Sequence, residues 1–394
     1  MKKTLKDMDF KGKKTLVRVD FNVPLEDGQV KDATRIQAAL PTIKFLLDEE
    51  ARIILMSHLG RPKGQVDESL RLDPVAEKLA DELQKEVVKV DDCIGEEPQK
   101  AIEQMENGNL VLLENTRFYA GEKANDADFS CQLAELADIY VNDAFGAAHR
   151  AHASTVGVTD YLPSVAGFLL QREINALGKT LENPGHPFVS IIGGAKVSDK
   201  MGVIKNLIKK VDYILTGGGI ANTFLAAQGY NMQKSLFEED ILNEAKELIE
   251  EAGKNNVELV LPDDLVIASE FSDDAERDVV KIDNITEGWQ ALDSGGPETL
   301  AKYKEILQKA KTITWNGPIG VFEFNKFAGG TIELAKIIAE SNARSIIGGG
   351  ESAAAIKKAG VENKMTHIST GGGASLMFME GKPLPGIEAL DDLN

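Results

Sequence analysis

Short apolar runs alternate with longer segments of helical period along nearly the whole of this 394-residue chain, and that alternation limits the fold more than any other feature. The stretches 15–20 (TLVRVD), 52–57 (RIILMS), 110–114 (LVLLE) and 139–142 (IYVN) are short and almost uniformly apolar, the pattern of strands buried on both faces. Between them lie helical segments such as 33–49 and 73–86. In the latter, Val75, Leu79 and Leu83 recur every four residues behind an Asp-Pro start. The scheme repeats with strands expected at 188–192, 213–216, 257–261, 312–315 and 345–347. Ser235-Leu-Phe-Glu238 matches a capping box that would open a helix over 238–251. Strand and helix in strict alternation predict an α/β architecture with parallel sheets.

A helical stretch at 171–181 runs into Glu-Asn-Pro-Gly-His-Pro at 182–187, a turn-rich break. The expected division is a domain over 1–170, an interdomain helix and hinge over 171–187, and a second domain over 188–380. No short-period repeat is visible, which excludes solenoids and propellers.

Charge narrows the class of partner. With 44 Lys plus Arg against 63 Asp plus Glu, the net charge of −19 disfavours nucleic acid and acidic membrane surfaces. Any anionic ligand must be met by a local positive cluster. Cys93 and Cys131 are too few for a disulfide framework and match no zinc spacing. The start MKKTLKDMDF has no apolar run after it, and nothing approaches the ~18 apolar residues of a membrane span. A cytoplasmic protein is expected.

Arginine and glycine are distributed unequally. Eight of the ten arginines lie within the first 172 residues, whereas the Gly-Gly-Gly triplets at 217, 348 and 371 lie in the second half. Guanidinium forks and bare backbone amides are two different ways to hold phosphate, so the halves are expected to hold different phosphates.

The arginines stand beside strand ends, where α/β folds collect ligand groups. Asp20-Phe-Asn22-Val-Pro follows the first strand, and His58-Leu-Gly-Arg61-Pro follows the second with a potential cation and a fork. Arg117 follows LVLLEN, Arg150 lies in NDAFGAAHRAH, and Arg35 stands near the start of the first helix. Any one of these could be a surface ion pair; four converging forks suit a small ligand with phosphate and carboxylate groups. His149 and His152 lack a partner set for a metal, and packing or hydrogen bonding is the expected role.

In the second half, FVSIIGGAKVSDK puts Gly193 and Gly194 at a strand end and Lys196 and Lys200 four apart at an expected helix start. Amides, dipole and charge together make that a phosphate site. Three further strand, Gly-triplet, helix turns strengthen the case for a nucleotide. Glu351, beside the amides of the second triplet, is a natural Mg²⁺ ligand, and helix-dipole partner is its plainer alternative. Trp315-Asn-Gly-Pro318 offers a rigid turn with Glu323 beyond it, or simply a buried Trp.

The common phosphate signatures fail. Gly178-Lys-Thr180 would end a P-loop only if residue 173 were glycine, and it is Glu173. Gly348-x-Gly350-x-x-Ala353 lacks an acidic residue near Thr370 to hold a ribose, which weakens a dehydrogenase reading. There is no HRD and DFG pair of a protein kinase. A two-domain protein that clasps a phosphorylated ligand without chemistry would need the arginines but not the glycine-rich half.

Taken together, DFNVP, HLGRP, LLENTRF, NDAFGAAHRAH, GGAKVSDK, TGGGIANTF, WNGPIGVFE, GGGES and STGGGASL, in that order and spacing, resemble the phosphoglycerate kinase family over essentially the full length. The resemblance implies two Rossmann-like three-layer domains with parallel sheets, joined by an interdomain helix and hinge. It implies that the amino-terminal domain binds 3-phosphoglycerate or 1,3-bisphosphoglycerate and the other binds MgADP or MgATP. Closure of the hinge would bring them together, and 381–394 would return to the first domain. A monomer with small-molecule substrates only is implied as well.

Carried over by residue, Asp20, Phe21, Asn22, Arg35, His58, Leu59, Gly60, Arg61, Arg117 and Arg150 match the family's triose-phosphate site. Gly193, Gly194, Lys196, Lys200, Gly217, Gly218, Gly219, Asn316, Pro318, Glu323, Gly349, Gly350, Glu351 and Ser352 match its nucleotide site. Arg35, Lys196, Lys200 and the amides at Gly349 and Gly372 match the groups around the transferred phosphoryl. Thr116 stands where Leu is commoner, and Glu351 where many members carry Asp as the metal ligand. The acceptor is a carboxylate with a reference pKa of about 3.5 to 4, ionised at neutral pH, so no general base is implied.

Overall fold

Runs of aliphatic residues form strands where helices can cover both faces, and the chain does this twice. The computed structural model describes residues 1–393 in two units, Met1–Asn175 with the segment from Pro383 onward, and Ala176–Lys382.

In the first unit, β1 (Lys14–Arg18) is followed by a small hairpin, β2 (Leu25–Glu26) and β3 (Gln29–Val30). Then come β4 (Arg52–Met56), β5 (Val88–Lys89), β6 (Leu110–Leu112), β7 (Ile139–Asn142) and β8 (Ser164–Ala166). The main sheet has the order β5-β6-β4-β1-β7-β8, all parallel. Val17, Ile53, Leu55 and Val141 pack with Ile36, Ile43 and Leu46 of helix Thr34–Asp48 and Val75 and Leu79 of helix Asp73–Leu83. Each such side chain contributes on the order of 1.5–3 kcal/mol by leaving water. The second of these helices stops short of residue 86 because Gln84 turns left-handed, φ +51°, and its amide caps Ala80.

The second unit holds β9 (Phe188–Ile192), β10 (Tyr213–Thr216), β11 (Glu258–Val260), β12 (Asp264–Ala268), β13 (Arg277–Lys281), β14 (Gln290–Asp293), β15 (Thr312–Asn316), β16 (Arg344–Gly348) and β17 (His367–Ile368). Its parallel sheet runs β11-β10-β9-β15-β16-β17. The order reverses between β9 and β15, the doubly wound switch point outside which ligands bind. Alternate residues of β9 serve opposite layers. Val189 and Ile191 join Trp315, Tyr303 and Leu334 in one core, and Phe188 and Ile192 join Ile204, Phe224 and Leu248 in the other.

Two details depart from the sequence expectation. Strands β12, β13 and β14 form an antiparallel sheet that the alternation did not foretell. Ser235 caps no helix: its Oγ accepts from the Ala291 amide at 2.8 Å, while the Glu238 carboxylate takes the Ser198 amide. The helix begins later, at Leu242, because those side chains are claimed by distant backbone. The division between units falls at Asn175 and Ala176, inside helix Phe168–Glu182 and within the 171–187 segment expected to join the domains. The carboxyl-terminal segment is bound into the first unit, where Lys3 N donates to Asp391 O and Asn142 Nδ2 to Gly386 O, both at 2.9 Å.

Candidate active site

In the first unit the motif loops leave the carboxyl ends of β1, β4, β6 and β7. Asp20, two residues beyond β1, is buried, and its Oδ1 accepts from Arg35 Nη1 at 3.1 Å. The same Nη1 donates to Asn22 O at 3.0 Å. Asn22 Oδ1 accepts from the Gly60 amide at 2.9 Å, and Gly60 O accepts from Arg117 Nη1 at 2.8 Å. An unbroken chain of contacts thus joins Arg35, Asp20, Asn22, Gly60 and Arg117. Phe21 and Leu59 are buried, their amides held by Ser57 Oγ and Asn115 Oδ1, so they fix the loops.

Positive charge accumulates here without neutralisation. Among the described residues no carboxylate pairs with Arg61, Arg117 or Arg150. Arg117 is buried, its Nε has no partner, and desolvation with the fields of Arg18 and Arg150 pushes its pKa down to about 10. Arg61 and Arg150 are exposed, and Arg150 Nε donates to His149 Nε2 at 2.9 Å. Arg35 departs from the unpaired set, since Asp20 orients it. His152 lies against Glu122, Nδ1 to Oε1 3.7 Å.

His58 is not the cation the motif suggested. It is 5% exposed, its Nδ1 lies 2.9 Å from Arg18 Nη2, and burial with the fields of Arg18, Arg117 and Arg35 holds its pKa well below the ordinary value. Arg18 and Glu122, both fully buried, were not identified from the sequence as part of this site. An arginine inside a strand-like run reads only as a strand residue, and Glu122 reaches the site through the fold.

In the second unit, the loops after β9 and β15 meet at the switch point. Lys200 Nζ donates to Gly193 O at 2.7 Å, Asn316 O at 2.9 Å and Asn316 Oδ1 at 2.6 Å. All three acceptors are neutral. Desolvation therefore lowers the lysine pKa to about 8, partly countered by Glu351 and Asp199. The two lysines do not share a helix start: Lys200 precedes helix Met201–Leu207, whereas Lys196 is exposed in the loop before it.

The glycines divide into two kinds. A Cβ on Gly193 would lie 2.0 Å from Pro318 O, one on Gly217 2.3 Å from Ile319 Cβ, and one on Gly219 2.1 Å from Ala195 O. These permit backbone to touch backbone, and the Gly218 amide is already taken by Ser294 Oγ and Ile319 O. They were expected to cradle phosphate; their lack of a side chain serves this close packing as well. Gly350 and Gly372 instead face open space. They open helices Gly350–Ala359 and Gly372–Met379, whose first amides have no acceptor within the helix. Gly349, φ +91°, turns the chain into the first of these, and Ser352 Oγ accepts from the Gly317 amide at 2.7 Å.

Gly194, Gly218, Gly219, Pro318, Glu323 and Glu351 line one cavity with Leu236, Phe271 and Leu292. The apolar wall escaped sequence reading because it comes from widely spaced residues around the antiparallel sheet. Glu351 is exposed on the cavity lining, and among the described residues no group of three or more His, Cys, Asp or Glu is gathered for an ion. One carboxylate beside free amides suits a Mg²⁺ that arrives on nucleotide phosphates, not a protein-caged ion.

Comparison with known proteins identifies the family. The family model described as phosphoglycerate kinase matches residues 5–382. Phosphoglycerate kinase of Moorella thermoacetica is 59% identical over 391 residues, covering 99% of each chain, and that of Clostridium tetani is 55% identical, covering 99% of this chain and 98% of the relative. The solved phosphoglycerate kinase of Coxiella burnetii superposes with a TM-score of 0.89 at 42% identity, covering 99% of this chain and 98% of its own. That of Pyrococcus horikoshii OT3 gives 0.87 at 34%, covering 98% of both. Two α/β units, one rich in unpaired arginine and the other in helix-opening glycine, are thus those of the phosphoglycerate kinase family, glycolytic enzymes that reversibly transfer a phosphoryl group between 1,3-bisphosphoglycerate and ADP, and the chain belongs to it.

Proposed function

We propose that Arg61, Arg117 and Arg150, with Arg35, His58, Asp20 and Asn22, hold the triose phosphate on the first unit. The second unit then holds MgADP or MgATP through Lys196, Lys200, Asn316 and the amides of Gly349 and Gly350. The observation that carries this reading is the set of three arginines without carboxylate partners, one with a buried, unsatisfied Nε. Uncompensated buried charge is costly, and an anionic ligand removes that cost.

The acceptor carboxylate of 3-phosphoglycerate is ionised at neutral pH, so the protein need only position and stabilise. Arg35, aimed by Asp20, and Lys200, released from its carbonyl cage, offset charge on a loose, in-line transfer, with the amides at Gly349 and Gly372. Glu351 would hold a Mg²⁺ that arrives with the nucleotide, and the ion would supply neutralising charge there. Both half-sites come from one chain, so a monomer suffices, and two free thiols suit a cytoplasmic setting.

The test is calorimetric titration with a hydroxylamine trap for acyl phosphate. Arg117→Met should lose 3-phosphoglycerate binding and keep MgATP binding, Lys200→Met should keep 3-phosphoglycerate binding, and hydroxamate should fall in both. Loss of MgATP binding in Arg117→Met would refute the assignment.

A further inference from the structure

Beneath the triose-phosphate loops lies a buried polar network that the transfer mechanism does not use. Arg18, on β1, is fully buried. Its Nη1 donates to Val19 O, its Nε to Ser154 Oγ at 2.8 Å, and its Nη2 points at His58 Nδ1 across 2.9 Å. Ser154 Oγ in turn donates to Glu122 Oε1 at 2.6 Å, and the Ser154 amide to Glu122 Oε2 at 2.9 Å. Burial pushes the Glu122 carboxyl up, but the nearby His152 imidazole, the charge of Arg18 and the hydrogen bonds from Ser154 outweigh it and keep its pKa below the ordinary value. Arg18 touches no solvent, so it cannot touch substrate.

A guanidinium only donates hydrogen bonds and does not give up its proton in proteins. At 2.9 Å, His58 Nδ1 must therefore accept, and the ring proton must sit on Nε2. We propose that Arg18, held by Ser154 and Glu122, is a positioning residue that locks His58 as the neutral Nε2–H tautomer, making it a fixed hydrogen-bond donor, and not a cation, toward the triose ligand. The charged groups facing His58 are Arg18 from β1, Arg35 from helix Thr34–Asp48, Arg117 from the turn after β6 and His152 from the segment after β7, with Glu122 behind Arg18. Four potential cations against one carboxylate oppose a further proton on the ring. A neutral donor has two consequences. It orients the ligand by direction, which a point charge does not, and its contribution does not change across the pH range where free histidine titrates.

The proposal rests on the triose-phosphate reading of the site, and the experiment separates the two. Long-range proton–nitrogen spectra of the full chain labelled with ¹⁵N-histidine are recorded from pH 8 to 5, with and without 3-phosphoglycerate. The expected result is a bare Nδ1 and a protonated Nε2 for His58, unchanged with pH and shifted by 3-phosphoglycerate. In Arg18→Gln the imidazole should begin to titrate. The KM for 3-phosphoglycerate should rise several-fold at pH 8 and fall toward lower pH, while the KM for MgATP stays within twofold. A protonated Nδ1 or an imidazolium in the wild type overturns the proposal even if the variant fails to fold, and so does a variant with an unaltered tautomer and KM profile. The stated tautomer with no response to 3-phosphoglycerate would instead overturn the donor role together with the site reading.

Discussion

Lys200 Nζ stands 2.6 Å from Asn316 Oδ1, a contact that ties the loop after β9 to the end of β15 across the topological switch point. The ammonium has three neutral acceptors and no carboxylate, and that is the physical origin of its depressed pKa, about 8. Holding that charge there costs the fold.

Stability should consequently depend on pH with a definite sign. Below pH 8 Lys200 is protonated both folded and unfolded. Between about 8 and the ordinary lysine value of 10.5 the unfolded chain binds more protons, so stability rises with pH. The full span is roughly 3 kcal/mol at 1.36 kcal/mol per unit. Urea unfolding of wild type and Lys200→Met at pH 7 and 9.5 should show the wild type gaining on the variant at the higher pH. A difference that does not vary with pH would remove this account.

Arg35 is held from behind by Asp20 and Asn22, so its charge is aimed before any ligand arrives. If it stabilises the transferring phosphoryl as a lost oxyanion donor would, Arg35→Ala should raise the barrier by about 2.7–4 kcal/mol, some 10²–10³ in kcat. MgATP binding, which the proposed assignment puts on the other unit, should change by less than about twofold. Steady-state kinetics with both substrates varied checks it, and normal turnover would dismiss Arg35 from catalysis.

The site was legible where chemistry is local and hidden where it is tertiary. Motif loops such as DFNVP and HLGRP announce themselves because they follow strands, and those strands are apolar runs covered on both sides. Arg18 was hidden because it interrupts such a run, and its partners Ser154 and Glu122 lie 136 and 104 residues away. The 235–238 capping pattern was locally sound, but the Ala291 amide, 56 residues on, claimed the serine hydroxyl. The antiparallel sheet stayed invisible since β13 is mostly exposed and carries no core signal.

Two glycine substitutions should behave oppositely. Gly193→Ala forces a methyl to 2.0 Å from Pro318 O and 2.6 Å from Gly317 O, rigid backbone in both cases. Overpacking of this kind costs about 1–3 kcal/mol, and the second unit should unfold earlier in denaturant. Gly350→Ala meets nothing within 4 Å and begins a helix, so stability should hold while the KM for MgATP rises as the methyl crowds the open amides. Equal stability losses in the two variants would contradict the division into packing and ligand-facing glycines.

Transfer demands that the acyl phosphate and the nucleotide approach within about 3–3.5 Å. The arginine set belongs to one unit and the glycine-opened helices to the other, joined through helix Phe168–Glu182. On the proposed assignment, either ligand alone would contact only its own unit and would supply no differential free energy for bringing the two together. Both ligands at once would, on that assignment, share Lys200, Arg35 and the amides at Gly349 and Gly372, and would favour whatever arrangement lets them do so. Small-angle X-ray scattering should therefore show a smaller radius of gyration only with 3-phosphoglycerate and a non-hydrolysable MgATP analogue present together. Identical radii for free and doubly liganded protein would rule out closure as the step that joins the half-sites.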